Sequence, residues 1–162
     1  MTTSAENIIF RPFQEGDREQ VRQLHEVALR GTNAFAESGN WDSDLDDVQA
    51  NYIDNGGNFV VGELDGEIVA MGAYRKLAGS ETIAELKRAR VRPDLQSQGI
   101  GKHLLALREA EIRERGYTAM QCDTTVNQPA AQHVLESAGF VELRRETEGW
   151  PIEVIFYRKE LA

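Results

Sequence analysis

One cysteine in 162 residues, Cys122, leaves nothing for an intrachain disulfide to close on. Three histidines, at 25, 103 and 133, stand far apart with no second cysteine to join, so no metal site is expected. No apolar run approaches the roughly 18 residues that cross a bilayer, and membrane association is not expected. The opening MTTSAENIIF lacks the basic start and apolar core of a secretion signal, which points to a cytoplasmic protein. Repeats, low-complexity tracts and Pro/Gly/Ser-rich linkers are also missing, so a single domain is expected over 1–162.

Positive charge is missing from one stretch. Residues 31–74 hold no Lys or Arg but nine acids, Glu37, Asp42, Asp44, Asp46, Asp47, Asp54, Glu63, Asp65 and Glu67, which account for the whole net charge of −9. A chain this acidic is a poor general nucleic-acid binder. The stretch reads as a solvated acidic face or as a rim that attracts a cationic substrate. Against it, Lys87, Arg88, Arg90 and Arg92 fall within six residues and read as a local anion site.

The pattern that is present is α/β. A strand over Asn7 to Phe13 leads to Asp17, which with Gln20 reads as a capping box for a helix with Val21, Leu24 and Ala28 on its apolar face, stopping near Gly31. A short helix is expected over Asp42 to Asp54. Strands follow at Asn58 to Leu64 and Glu67 to Leu77, joined by Asp65-Gly66, a two-residue hairpin signal of type I′. A strand over Thr82 to Arg92 ends at Pro93, and a helix in which Ile100, Leu104 and Leu107 alternate with Gly101, Leu105, Arg108 and Ile112 at helical spacing stops at Gly116. Thr118 to Thr124 is a strand, Pro129 opens a helix that Gly139 closes, and strands over Phe140 to Thr147 and Ile152 to Glu160 complete the chain. A right-handed crossover makes the strands around the long helix parallel, giving a mixed sheet.

The strongest chemical signal is the run from Val91 to Lys102, a strand leading into a glycine-rich turn that opens a helix. Successive backbone N–H groups and the positive helix end suit a phosphate or pyrophosphate. Gly99 and Gly101 remove Cβ atoms that would block its approach. Two phosphate motifs fail: a Walker loop needs Gly at 96 and Ser or Thr at 103, which are Gln96 and His103, and a dinucleotide loop needs Gly at 104, which is Leu104.

This segment resembles the GCN5-related N-acetyltransferases, the GNAT family. Gln96-x-x-Gly99-x-Gly101 matches the family's Q/R-x-x-G-x-G/A signature, preceded by Val91-x-Pro93 at the usual spacing. Downstream, Cys122-Asp123-Thr124, Asn127-Gln128-Pro129-Ala130-Ala131 and Glu136-Ser137-Ala138-Gly139-Phe140 are similar to its second block. The flanking elements from residue 7 to 160 fit its order, with 31–57 least constrained.

The resemblance implies a mixed, mostly antiparallel central sheet with a parallel splayed strand pair and flanking helices. It implies acetyl transfer from acetyl-CoA, as acyl-donor cosubstrate and without metal, to a primary amine of a small molecule or peptide. Ala89, Arg90 and Val91 would meet the pantetheine arm and the thioester oxygen. The backbone of Gln96, Ser97, Gln98, Gly99, Ile100, Gly101 and Lys102 would hold the pyrophosphate, with Asn127 and Ala131 bordering the arm. Glu85 takes the place of the family's general base, needed because an alkylammonium has a pKa near 10.4; its bland alternative is a solvated glutamate or one paired with Arg88. Leu135 stands where the family usually carries the tyrosine that protonates the leaving thiolate. That departure keeps a second reading open, an acyl-CoA-binding sensor without turnover, and a homodimer is compatible with either. His133 is expected to face outward and Cys122 to be a buried apolar filler. Trp41, Tyr74, Trp150 and Tyr157 are core or pocket aromatics, with Tyr74 on a strand leading toward the cleft.

Overall fold

The Asp65-Gly66 pair folds β2 (Asn58–Leu64) back on β3 (Glu67–Lys76), both residues taking positive φ as a type I′ turn requires. This hairpin lies within a seven-stranded sheet in a computed structural model that describes residues 5–30 and 43–161. The other elements are β1 (Ile9–Pro12), α1 (Arg18–Arg30), β4 (Ile83–Val91), α2 (Ile100–Glu114), β5 (Ala119–Thr125), α3 (Pro129–Ser137), β6 (Val141–Glu146) and β7 (Val154–Glu160). Spatial order is β1-β2-β3-β4-β5-β7-β6, and every described pairing is antiparallel except β4 with β5. Parallel neighbours need a crossover, which α2 supplies. The expected mixed sheet with one parallel pair is the one observed.

Alternation along the strands sends side chains to two apolar layers. Val21 and Leu24 of α1 pack with Phe13, Tyr52, Phe59, Met71 and Ala73 on one face. On the other, Leu105 and Ile112 of α2 and Leu135 of α3 pack with Tyr74, Leu86, Met120 and Tyr157. Burying each such side chain contributes about 1.5–3 kcal/mol, so β3 and β4 are clamped from both sides.

Two local expectations differ. The stretch over Asp42 to Asp54 is not one regular helix: Ser43–Asp46 is a 3₁₀ turn and Gln49–Ile53 a single π turn, with residue 42 outside the described residues. Five acids in so short a run favour local side-chain bonds over helix propagation, and Asp47 accepts the Ala50 N–H at 3.0 Å. The box at the start of α1 is also shifted. Asp17 accepts the Gln14 N–H at 2.8 Å and is gripped by Arg11, while the Gln20 side chain accepts the Ile68 N–H at 3.0 Å. Asp17 therefore closes the box rather than opening it, because a sheet arginine fixes its carboxylate.

Gly57 makes a close approach to β3, and a Cβ there would sit 1.7 Å from the Tyr74 carbonyl oxygen. Gly57→Ala is expected to destabilise the fold by about 3 kcal/mol, since backbone must move to admit the methyl. Urea unfolding checks this, and a midpoint equal to wild type would contradict it.

Candidate functional site

β4 and β5 pair only from Ile83 opposite Ala119 to Leu86 opposite Cys122. Beyond that point no pairing joins them among the described residues, and a gap opens along residues 87–91. A bulge in β4 explains the parting. Its register against β3 passes from Ala73–Lys87 to Met71–Arg90, so Arg88 and Ala89 together oppose Gly72, with Arg88 at φ 60°. A bulge bends its strand and increases its twist, which carries β4 away from its straight neighbour. The gap-side edge of Ala89, Arg90 and Val91 is left with strand-like backbone groups that an extended, amide-bearing chain can pair with.

At the mouth of the gap lies the glycine-rich turn. Pro93–Leu95 forms a 3₁₀ turn, the Gln96 carboxamide donates back to Val91 O at 3.2 Å, and Ser97 and Gly99 take φ of 67° and 82° before α2 begins. The N–H of His103 bonds to Gly99 O at 3.0 Å, and the N–H groups before it belong to the open end of a 15-residue helix. A Cβ at Gly99 would meet nothing within 4 Å, and one at Gly101 only Val134 Cγ2, at 3.9 Å. Gln96, Ser97, Gln98, Ile100 and Lys102 thus frame a turn with room above it, and α3 forms the facing wall. Asn127 is exposed just before α3 and Ala131 half-buried in its first turn, where Gln128 ties to Thr124 and Thr125 at 3.2 and 2.9 Å. Backbone donors, a helix N-terminus and a strand edge that β5 does not pair, all in line, fit a diphosphate joined to an amide-bearing arm.

The four basic residues beside this gap are not a free anion site. Lys87 lies 3.9 Å from Asp123, Arg88 donates to Asp44 at 2.9 Å, Arg90 to His25 Nδ1 at 3.2 Å, and Arg92 to Asp94 and Glu67 at 2.6 and 3.2 Å. The acidic stretch supplies Asp44 and Glu67 of these partners, and elsewhere its Asp46 meets Arg22 and its Glu63 meets Arg11 at 3.3 Å. Charges segregated along the chain are interleaved in space, which leaves anion binding to backbone donors.

Asp44 is the most consequential of these acids. Its carboxylate receives Arg88, the bulge residue, and the Tyr52 hydroxyl, with both members of the ion pair almost buried. Burial alone would push its pKa up, but the hydrogen bond and charge of Arg88 outweigh this and bring it down to about 2. A depressed carboxylate stabilises the fold above its unfolded value near 3.9 and loses that contribution as pH falls toward 2. Asp44→Asn is therefore expected to cost about 2–3 kcal/mol at pH 7 and to flatten the acid limb of the stability curve between about pH 4 and 2. Thermal melts across pH decide it; an acid limb as steep as wild type would contradict the assignment.

Glu85 lies opposite Gln121, one position before the strands part, on the α1 face. Arg75 Nε donates to it at 3.0 Å, so its ion-pair partner is Arg75 and not Arg88. Leu135 is buried beside Leu86 and Leu105, and no hydroxyl occupies its place. Tyr74 is a core residue that donates to Glu111 at 2.6 Å rather than a cleft residue, and Tyr157, also core, donates to Glu136 at 3.2 Å. Trp150 packs on Phe156 at the surface, His133 is exposed, and Trp41 lies outside the described residues. Cys122 is the last β5 residue paired with β4, and burial pushes its thiol up to about 12, away from the thiolate that nucleophilic attack needs. Sequence reasoning counted Asp44 only as one of nine acids and gave no role to Arg108, an arginine on the buried stripe of α2. Its i, i+4 spacing to Leu104 and Ile112 was the available signal.

Among the described residues no three His, Cys, Asp or Glu side chains converge as metal ligands, and no helix is long and apolar enough to cross a membrane. The Acetyltransferase (GNAT) family pattern matches residues 19–140. The uncharacterized N-acetyltransferase YjgM of Escherichia coli strain K12 is 31% identical over 100 residues, spanning 61% of this chain and only 60% of that relative's own length. A GNAT-family acetyltransferase from Staphylococcus aureus Mu50 superposes with a TM-score of 0.85 at 19% identity, over 96% of this chain and 99% of that one. The Salmonella typhimurium protein yncA, solved with its cofactor acetyl-CoA, superposes at 0.77 with 20% identity, over 96% and 95%. With the bulged, splayed strand pair, the glycine turn at its mouth and a family match running from α1 through α3, this chain belongs to the acetyltransferase (GNAT) family.

Proposed function

We propose that this chain is an N-acetyltransferase, a single domain over 1–162, that carries an acetyl group from acetyl-CoA to a primary amine of a small molecule or peptide. The observation that carries the reading is the gap opening past Leu86 and Cys122, with the open N-terminus of α2 at its mouth. Backbone N–H groups from Gln96 to Lys102 hold the pyrophosphate, and Ala89, Arg90 and Val91 pair with the pantetheine amides as a strand would. Asn127 and Ala131 close the other side. Acetyl-CoA supplies the activated acetyl group. An N–H of the β4 bulge, fixed in direction by the Asp44–Arg88 pair, donates to the thioester oxygen as it gains negative charge. Glu85 removes the proton from the incoming amine, directly or through one water, and Arg75 orients its carboxylate.

A sensor that binds acyl-CoA without turnover is favoured by one observation, the apolar burial of Leu135. Release of free CoA thiol across a panel of amines separates the two. Turnover above background with any amine supports the enzyme, and saturable acetyl-CoA binding with silence across polyamines, aminoglycosides, amino acids and peptide N-termini supports the sensor.

A further inference from the structure

Lys87 differs from the other bases of its cluster. Arg88, Arg90 and Arg92 are held by hydrogen bonds, whereas Lys87 makes one loose polar contact among the described residues, its Nζ 3.9 Å from Asp123 Oδ2. That contact crosses the gap. Lys87 is the first β4 residue and Asp123 the first β5 residue past the last pair, Leu86 with Cys122. Both side chains stay partly open, at 22% and 26% exposure, so a primary amine hangs across the point where the strands part.

The amine lies on the face that an incoming acceptor would use. Ala84 and Leu86 point into the layer under α2 and α3, so Glu85 and Lys87 project to the other side, where Ala73, opposite Lys87, packs in the layer under α1. A diphosphate at the α2 N-terminus directs its arm inward along Val91, Arg90 and Ala89, which brings the thioester to the apex of the gap. Ala89 is two residues from Lys87, about 7 Å along a strand, a span that a lysine side chain covers. Glu85, two residues to the other side, shares the face.

The chain has four lysines. Lys76 donates to Glu81 at 3.1 Å, Lys159 donates to Glu109 at 2.9 Å, and Lys102 stands in the first turn of α2. Only Lys87 among them lies on the acceptor face of the gap. We propose that Lys87 is itself an acetyl acceptor, modified by the acetyl-CoA bound in its own chain. The inference rests on the acetyltransferase reading. The ammonium gives one proton to Glu85 and through it to solvent, and the neutral nitrogen bonds the acetyl carbon. The carbon–sulfur bond breaks with its electron pair on sulfur, which takes the nitrogen's second proton. The products are an amide at Lys87 and free CoA thiol, and the cation facing Asp123 is gone.

The test incubates the full chain with isotope-labelled acetyl-CoA and maps the label by peptide mass spectrometry. Lys87 is expected to gain it about tenfold or more faster than Lys76, Lys102 and Lys159, because its nitrogen is held beside the thioester. The rate per molecule should not depend on protein concentration, and Gly101→Trp, which fills the diphosphate path, should bring Lys87 down to the level of the other three. Lys87→Arg keeps the charge and should remove the fast label entirely. Label spread evenly over the four lysines, a rate that rises with protein concentration, or fast labelling that survives Gly101→Trp overturns the proposal. Saturable acetyl-CoA binding with no label at Lys87 overturns it and leaves the acetyltransferase reading standing. Failure of acetyl-CoA to bind overturns that reading and the proposal with it.

Discussion

Gly101→Trp is expected to abolish saturable acetyl-CoA binding while the protein melts close to wild type. The Cβ direction at Gly101 is open except for Val134 Cγ2 at 3.9 Å on α3. An indole placed there fills the space between the two helices, across the open N–H groups of the turn, without displacing core atoms. Gly99→Trp aims at the same space, but Gly99 sits at φ 82°, where a side chain strains the backbone. A lost signal there would mix binding with stability, so Gly101 is the cleaner position. Calorimetric titration with acetyl-CoA, beside a thermal melt, reads the two separately. Undiminished affinity with a native melting temperature would remove the turn from the site.

Glu85→Gln is expected to lower turnover by roughly 10²- to 10⁴-fold, the usual share of a general base, with acetyl-CoA affinity little changed. The substitution keeps the side chain's size and its ability to accept from Arg75 Nε, now at 3.0 Å from the carboxylate. Loss of packing is thus a small part of the effect. Activity should recover partly at high pH, where more of the amine is neutral without help. Arg75→Met provides the contrast: a base that needs orientation loses activity with it, whereas a glutamate held only for structure shows wild-type turnover and pH profile in Glu85→Gln. That last result would pass proton removal to another group or to solvent.

Much of the fold was legible because its signals are local. Asp65-Gly66 demands a tight turn, Pro93 ends a ladder, and the stripe of Ile100, Leu104, Leu105 and Ile112 needs a helix; each occurs where the residues implied it. The acidic stretch misled, since composition cannot say which acids are solvated. Asp44 and Arg88 are 44 residues apart, and nothing within either neighbourhood marks them as partners. The same limit applies to Glu85, whose nearest cation in sequence is not the arginine that a β3–β4 register brings opposite.

The sequence by itself determined the order of elements, the glycine turn that opens α2, and the family whose signature that turn carries. Short-range preferences and periodicity decide those, and they act over a few residues. Tertiary structure alone decided where β4 leaves β5, because the bulge exists only as a mismatch of register against β3. It also decided that the basic cluster is engaged by internal partners, that Glu85 meets Arg75, and that Arg108 is buried over Gly72. Each depends on distances between residues remote in the chain, and electrostatic energy follows distance and burial rather than sequence order.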